Sequence, residues 1–125
     1  MTAVRTGCDL AAVDDVLAGI SAHGERYLAR VFTVRERTDA HDDPERLAAR
    51  FAGKEAVIKL LRPTGGQAVP LHDVAIVLDG HGAPVVELTG AALTLAEAQG
   101  ITVVDVSLSH ERGLALATAV ALADR

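Results

Sequence analysis

Apolar residues recur along the chain at two different spacings, and each spacing predicts its own kind of element. Leu47, Phe51, Ile58 and Leu61 fall at helical intervals, Asp43 stands where an N-cap would and Pro44 at the first helical position. A long helix over residues 44–61 follows, ended by Pro63 and the flexible Thr64-Gly65-Gly66 turn. Before it, residues 3–9 read as a short strand and residues 10–20 as a helix with Leu10, Val13, Leu17 and Ile20 on one face. A second helix is expected over 25–32, then a polar surface connection over 33–43, part of it helical. Residues 74–78 and 84–88 read as strands joined by the tight turn Asp79-Gly80-His81-Gly82, whose histidine is expected to be an exposed turn residue. A further helix from Thr89 or Gly90 runs to Gln99 and stops at Gly100.

The last unit is two strands, 102–109 and 114–123, joined at His110-Glu111-Arg112-Gly113. Alanine-rich 114–123 has high helix propensity, but Ala115, Ala117, Ala119 and Ala121 alternate with Leu114, Leu116, Val120 and Leu122, the period of a strand. Strands, helices and hairpins mix without a regular strand-helix alternation. The expected fold is therefore α+β in one domain over residues 1–125, a largely antiparallel sheet packed against one long helix and shorter helices.

Composition narrows the classes of function. Half of the 125 residues are apolar, yet there are two Phe, one Tyr and no Trp, so the core must be aliphatic. The single cysteine, Cys8, cannot form an internal disulfide; a reducing, cytoplasmic setting and a buried, inert Cys8 are expected. No run of apolar residues suits a signal peptide or a membrane span. A net charge of −5 with basic residues scattered singly or in pairs argues against nucleic-acid binding, which needs a concentrated basic face.

Candidate chemistry gathers on the long helix. Glu55, Lys59 and Arg62 fall on one edge of it, a carboxylate one turn before a cation with a second cation behind. As a solvated edge this is worth a few tenths of a kcal/mol (~0.2–0.5); as a site it sets an acid beside a phosphate-sized basic patch. Asp9, at the predicted strand-to-helix junction, has two readings: an N-cap, or a metal ligand at a cleft. Gly65 could let backbone approach a ligand phosphate, although phosphate loops ordinarily precede helices.

Four stretches occur in order: Gly7-Cys8-Asp9-Leu10, Arg30-Val31-Phe32-Thr33 with Glu36, the helix containing Arg50-Phe51-Ala52-Gly53-Lys54-Glu55, and Ser107-Leu108-Ser109-His110-Glu111. Together they resemble the holo-acyl-carrier-protein synthases, the small 4′-phosphopantetheinyl transferases, from Gly7 to about Val120. The resemblance implies that fold and a transfer of the 4′-phosphopantetheine arm of coenzyme A to a serine of an apo acyl carrier protein. It implies Mg²⁺ on Asp9 and Glu55, with Lys59 at the diphosphate. His110, and less centrally Ser109, would hold the nucleotide end, with Arg50, Arg62 and Gly65 as lesser phosphate contacts. Glu55 would be the base, and the assembly a homotrimer with interfacial sites.

Two positions depart from the family pattern. Asp15, beside Asp14, stands where the family presents a cation to its acidic carrier, so docking would fall to Arg26, Arg30, Arg35 and Arg37 with Phe32 and Phe51 as apolar anchors, and the carrier could be a specialised one. Asp15 also favours an alternative, a non-catalytic relative that binds coenzyme A or a carrier protein. Gly53 replaces a usual alanine without functional reason.

Overall fold

The computed structural model describes residues 1–124. Its elements run β1 (Thr2–Ala12), α1 (Val13–His23), α2 (Glu25–Val31), α3 (Val34–Ala40), α4 (Pro44–Leu61), β2 (Val74–Leu78), β3 (Pro84–Leu88), α5 (Gly90–Ala98), β4 (Ile101–Glu111) and β5 (Leu114–Asp124). Every strand pairing is antiparallel. The strands form a three-stranded sheet of order β1-β5-β4 and a separate β2-β3 hairpin. This is the α+β arrangement expected, with the antiparallel pairing divided between two sheets.

The long helix is where the pattern placed it. Asp43 accepts from the backbone N–H of Arg46, Pro44 opens the first turn, and Arg62 closes the helix in the left-handed region at φ 51°. At 18 residues α4 is about 27 Å long, enough to pack against all three strands of the large sheet. Close approach is possible because both surfaces are lined with small residues. Ala48, Ala52 and Ala56 of α4 and Ala115, Ala117, Ala119, Ala121 and Ala123 of β5 are all buried. Gly53 has a packing role: a Cβ there would stand 3.1 Å from Leu108 and 3.2 Å from Ile76, so the missing methyl lets the helix settle against β4 and β2.

Two local expectations are corrected. The first strand continues through Ala12, with Leu10 opposite Leu116 and Ala12 opposite Leu114, so Asp9 lies within a strand, opposite Ala117, and caps no helix. Leu10 is 61% exposed on the outer face of the sheet, and its helical spacing with Val13 and Leu17 was coincidental. Cys8, expected to be buried, is exposed on that same outer face. The polar 33–43 segment is helical in part, as expected: α3 covers Val34–Ala40 and starts at a reciprocal capping box between Thr33 and Glu36.

Candidate active site

Alternation along β1 turns Arg5, Gly7, Asp9 and Ala11 toward α4 and leaves Thr6, Cys8 and Leu10 outside. Asp9 thus meets the edge of α4 that carries Glu55 and Lys59. Lys59 Nζ donates to Asp9 Oδ1 at 2.8 Å and to the carbonyl oxygen of Cys8 at 3.1 Å. The Asp9 side chain is only 15% exposed, that of Lys59 56%. Glu55 is half-buried one turn before the lysine. Burial, and then the neighbouring charge of Asp9, raise its carboxyl above the ordinary range, with Lys59 offsetting part of the rise. The bond to Asp9 holds the Lys59 ammonium above its ordinary value, so it stays charged. Two carboxylates from segments more than forty residues apart are therefore near enough to feel one another's charge, partly desolvated, with Lys59 beside them.

That donor set fits Mg²⁺, which takes one or two protein carboxylates and completes its octahedron with phosphate oxygens and water. Burial and then the charge of Asp9 disfavour the ionised form of Glu55, so a second positive charge there would favour it. Among the described residues no group of three or more His, Cys, Asp and Glu side chains stands together. An enclosed all-protein cage is absent from them, as it typically is for Mg²⁺.

The other sequence-predicted residues scatter. Arg62 is exposed just beyond Lys59, on the same edge of α4, with no side-chain partner among the described residues. Gly65, at φ 58°, lies in the exposed turn beyond and would accept a ligand without steric hindrance. Ser109 and His110 stand near the end of β4, across β5 from β1. His110 Nδ1 contacts Glu45 Oε2 at 3.2 Å, and Glu45 opens α4 ten residues before Glu55, about 15 Å along the axis. Within one chain His110 does not join Asp9 and Glu55.

Arg50 is corrected outright as a phosphate contact. It is 4% exposed, donates to the carbonyl of Arg46 at 3.1 Å, and faces Glu36 and Asp39 on α3, about 140° around the helix from Glu55. Burial lowers its guanidinium from the ordinary value, and those two acids hold it up. Of the docking residues, Phe32 is buried, Arg37 is held between Glu25 and Asp42, and Arg35 by Asp39 and the carbonyl of Leu78. Arg26 and Arg30 on α2 remain exposed and without a side-chain partner among the described residues, with half-buried Phe51 as the remaining aromatic.

The outer face of the large sheet is open. Val4, Leu10, Val103, Leu114, Leu116, Val120 and Leu122 are each more than two-fifths exposed and share that face by register. Between its apolar ends runs an open groove of about 610 Å³ lined by Thr6, Cys8, Asp105, Ser107 and Thr118, with Lys59 at one side. Two further residues stand in the stretches that carry the resemblance without a role of their own in it: Lys54, wholly buried against Glu36, and Gly7, packed on the backbone of α4.

Comparison with known proteins reaches nearly the whole chain. Residues 5–119 match the family model described as the 4′-phosphopantetheinyl transferase superfamily. The holo-[acyl-carrier-protein] synthase of Chloroflexus aggregans is 40% identical over 132 aligned positions, covering 94% of both chains. That of Desulforudis audaxviator is 44% identical, covering 93% of this chain and 90% of the relative. Among solved structures, a Chronobacterium ammoniagenes ACPS-CoA complex superposes with a TM-score of 0.84 at 28% identity, over 98% of this chain and 99% of that one.

Proposed function

Since the chain belongs to the 4′-phosphopantetheinyl transferase superfamily, we infer from its site how it acts as a holo-[acyl-carrier-protein] synthase. It transfers the 4′-phosphopantetheine arm of coenzyme A to a serine of an apo acyl carrier protein. The serine Oγ attacks the phosphorus that bears the pantetheine, a new P–O bond forms, and the bond to adenosine 3′,5′-bisphosphate breaks. The convergence of Asp9, Glu55 and Lys59 on one edge of α4 carries the assignment of this step to these residues.

Asp9 and Glu55 would hold Mg²⁺, which when bound supplies positive charge to offset that on the diphosphate and the leaving oxygen. Lys59, already charged and more than half exposed, turns from Asp9 to a diphosphate oxygen. Glu55 takes the serine proton on its carboxylate. Arg62 and Gly65, just past the helix, extend the basic, open side on which a phosphate could lie.

The nucleotide end would be held by His110 and Ser109 of a neighbouring copy. The separation of His110 from Glu55 along α4 favours this, and so does the outer sheet face, whose aliphatic side chains ask for cover. A homotrimer with sites between subunits meets both requirements. Leu116→Glu and Leu122→Glu should each convert it to monomers in sedimentation, with transfer lost; an unchanged mass would refute the interface. An acidic carrier would dock over Arg26 and Arg30 and away from Asp14 and Asp15. No helix among the described residues is long and apolar enough to cross a membrane, and an exposed free thiol at Cys8 suits a reducing, cytoplasmic setting.

One assay tests the activity. The chain is mixed with coenzyme A, Mg²⁺ and apo carrier, and the carrier is weighed by mass spectrometry. Gain of the phosphopantetheine arm, abolished by chelator, is expected. Coenzyme A binding with no gain in mass would overturn the catalytic reading.

A further inference from the structure

Gly7 faces α4 from the same side of β1 as Asp9, two residues before it. A Cβ at this position would lie 1.9 Å from the carbonyl oxygen of Ala56, 3.0 Å from its carbonyl carbon and 3.1 Å from the amide nitrogen of Leu60. All three are main-chain atoms of a central helix, so nothing there can swing aside. Ala56 directly follows Glu55, and Leu60 directly follows Lys59. Strand and helix therefore touch backbone to backbone at the point that sets how far Asp9 stands from its two partners.

We propose that Gly7 is a positioning residue for the reaction: by letting β1 rest on the main chain of α4, it sets the separation of the Asp9 carboxylate from Glu55 and Lys59. The proposal rests on the functional reading above. A methyl at position 7 would drive the strand back from 1.9 Å to at least the 3.0 Å below which such contacts are not found, a retreat of about 1 Å. Displacement of that size at a reacting centre is worth about 10²-fold in rate. Gly53, on the same helix, provides the contrast. Its Cβ would meet side-chain atoms of Leu108 and Ile76 at 3.1 and 3.2 Å rather than backbone, and these need give by only a few tenths of an ångström.

The test compares the wild-type full chain with Gly7→Ala, Gly53→Ala, Asp9→Glu and the Gly7→Ala/Asp9→Glu double variant. Mn²⁺ binding without coenzyme A is followed by the electron paramagnetic resonance signal of the free ion, and transfer by carrier mass, each normalised to the folded fraction from circular dichroism. Gly7→Ala should weaken Mn²⁺ binding at least about ten-fold and lower kcat about 10²-fold, while Gly53→Ala stays within about two-fold of wild type. Asp9→Glu, one methylene longer by about 1.5 Å, should weaken binding in the wild-type background and restore it in the Gly7→Ala background. A merely structural glycine would not produce that change of sign.

Wild-type Mn²⁺ affinity and turnover in Gly7→Ala would overturn the proposal, as would losses in the double variant that simply add. If Gly7→Ala folds poorly, all titrations are repeated in sucrose, which favours the compact state. A chain that stays unfolded there would make Gly7 architectural and overturn the positioning role. A wild-type chain that neither binds Mn²⁺ nor modifies a carrier would sink the functional reading instead.

Discussion

Helix α4 carries two lysine-carboxylate pairs five residues apart, and they have opposite characters. Lys54 and Glu36 are both fully buried with 2.6 Å between Nζ and Oε1. Lys54 also donates to the carbonyls of Leu71 and Val74 at 3.1 and 2.5 Å, with its ammonium 5.6 Å from the ring centre of Phe32. Glu36 in turn accepts from the backbone N–H groups of Thr33 and Ile76. All three Lys54 donors are used and both Glu36 oxygens accept, and the pair ties α3, α4 and β2 together. Lys59 and Asp9 stand open to solvent on one side, with a half-buried Glu55 beside them whose carboxyl is raised by burial and then by the charge of Asp9. A satisfied polar network is architecture; one left short of a cation is a place for a ligand.

Removing one partner from each pair should break the comparison in different ways. Lys54→Met leaves Glu36 buried and uncompensated, an expected loss of about 3–5 kcal/mol in urea unfolding, with turnover per folded molecule retained. If stability held and turnover fell, the two pairs would have exchanged roles. Asp9→Ala reverses the outcome: Mg²⁺-dependent transfer should fall about 10²–10³-fold, equivalent to about 3–4 kcal/mol of barrier, with circular dichroism unchanged. Near-normal turnover in Asp9→Ala would remove the carboxylate pair from the chemistry. Lys59→Met should raise KM for coenzyme A about 10–10²-fold, the range of a charge-assisted hydrogen bond, leaving unfolding nearly untouched because the Lys59 side chain is mostly exposed.

The smallest effect concerns stability and pH. Because burial and Asp9 raise Glu55, the folded chain holds that proton more tightly than the unfolded one does, and stability declines as pH rises through the raised value. Glu55→Gln should therefore have a Tm slightly above wild type at neutral pH. The gap should close below the ordinary carboxylate range, where glutamate is protonated in both states. A lower Tm at neutral pH would mean that Glu55 is stabilised where it lies.

Much of this was legible in local pattern. Asp43, Pro44 and the stop at Pro63 bounded α4, and alternation interrupted only at Thr118 identified β5 despite its alanines. The pairing of Asp9 with Glu55 was legible only through the resemblance, since periodicity places neither residue relative to the other. Lys54 and Arg50 were illegible for a related reason. Their acidic partners, Glu36 and Asp39, lie in a polar segment that read as a surface connection, and only tertiary packing turns it inward. The extension of β1 to Ala12 was missed because Leu10, Val13 and Leu17 share a helical spacing, while the decisive pairing with Leu114–Asp124 is over a hundred residues away. Gly7 could be read from sequence as a glycine before an acid, but not as the point where strand and helix backbones meet.

The claim beneath all of these is that positions 9 and 55 share one divalent cation. Equilibrium dialysis against Mn²⁺ without coenzyme A, counting bound ions per chain, tests it most directly. One ion per wild-type chain is predicted, with occupancy lost in both Asp9→Asn and Glu55→Gln at the same free concentration. Undiminished binding in either folded variant would show that the two carboxylates do not form a common site, and the account of the chemistry would fail with it.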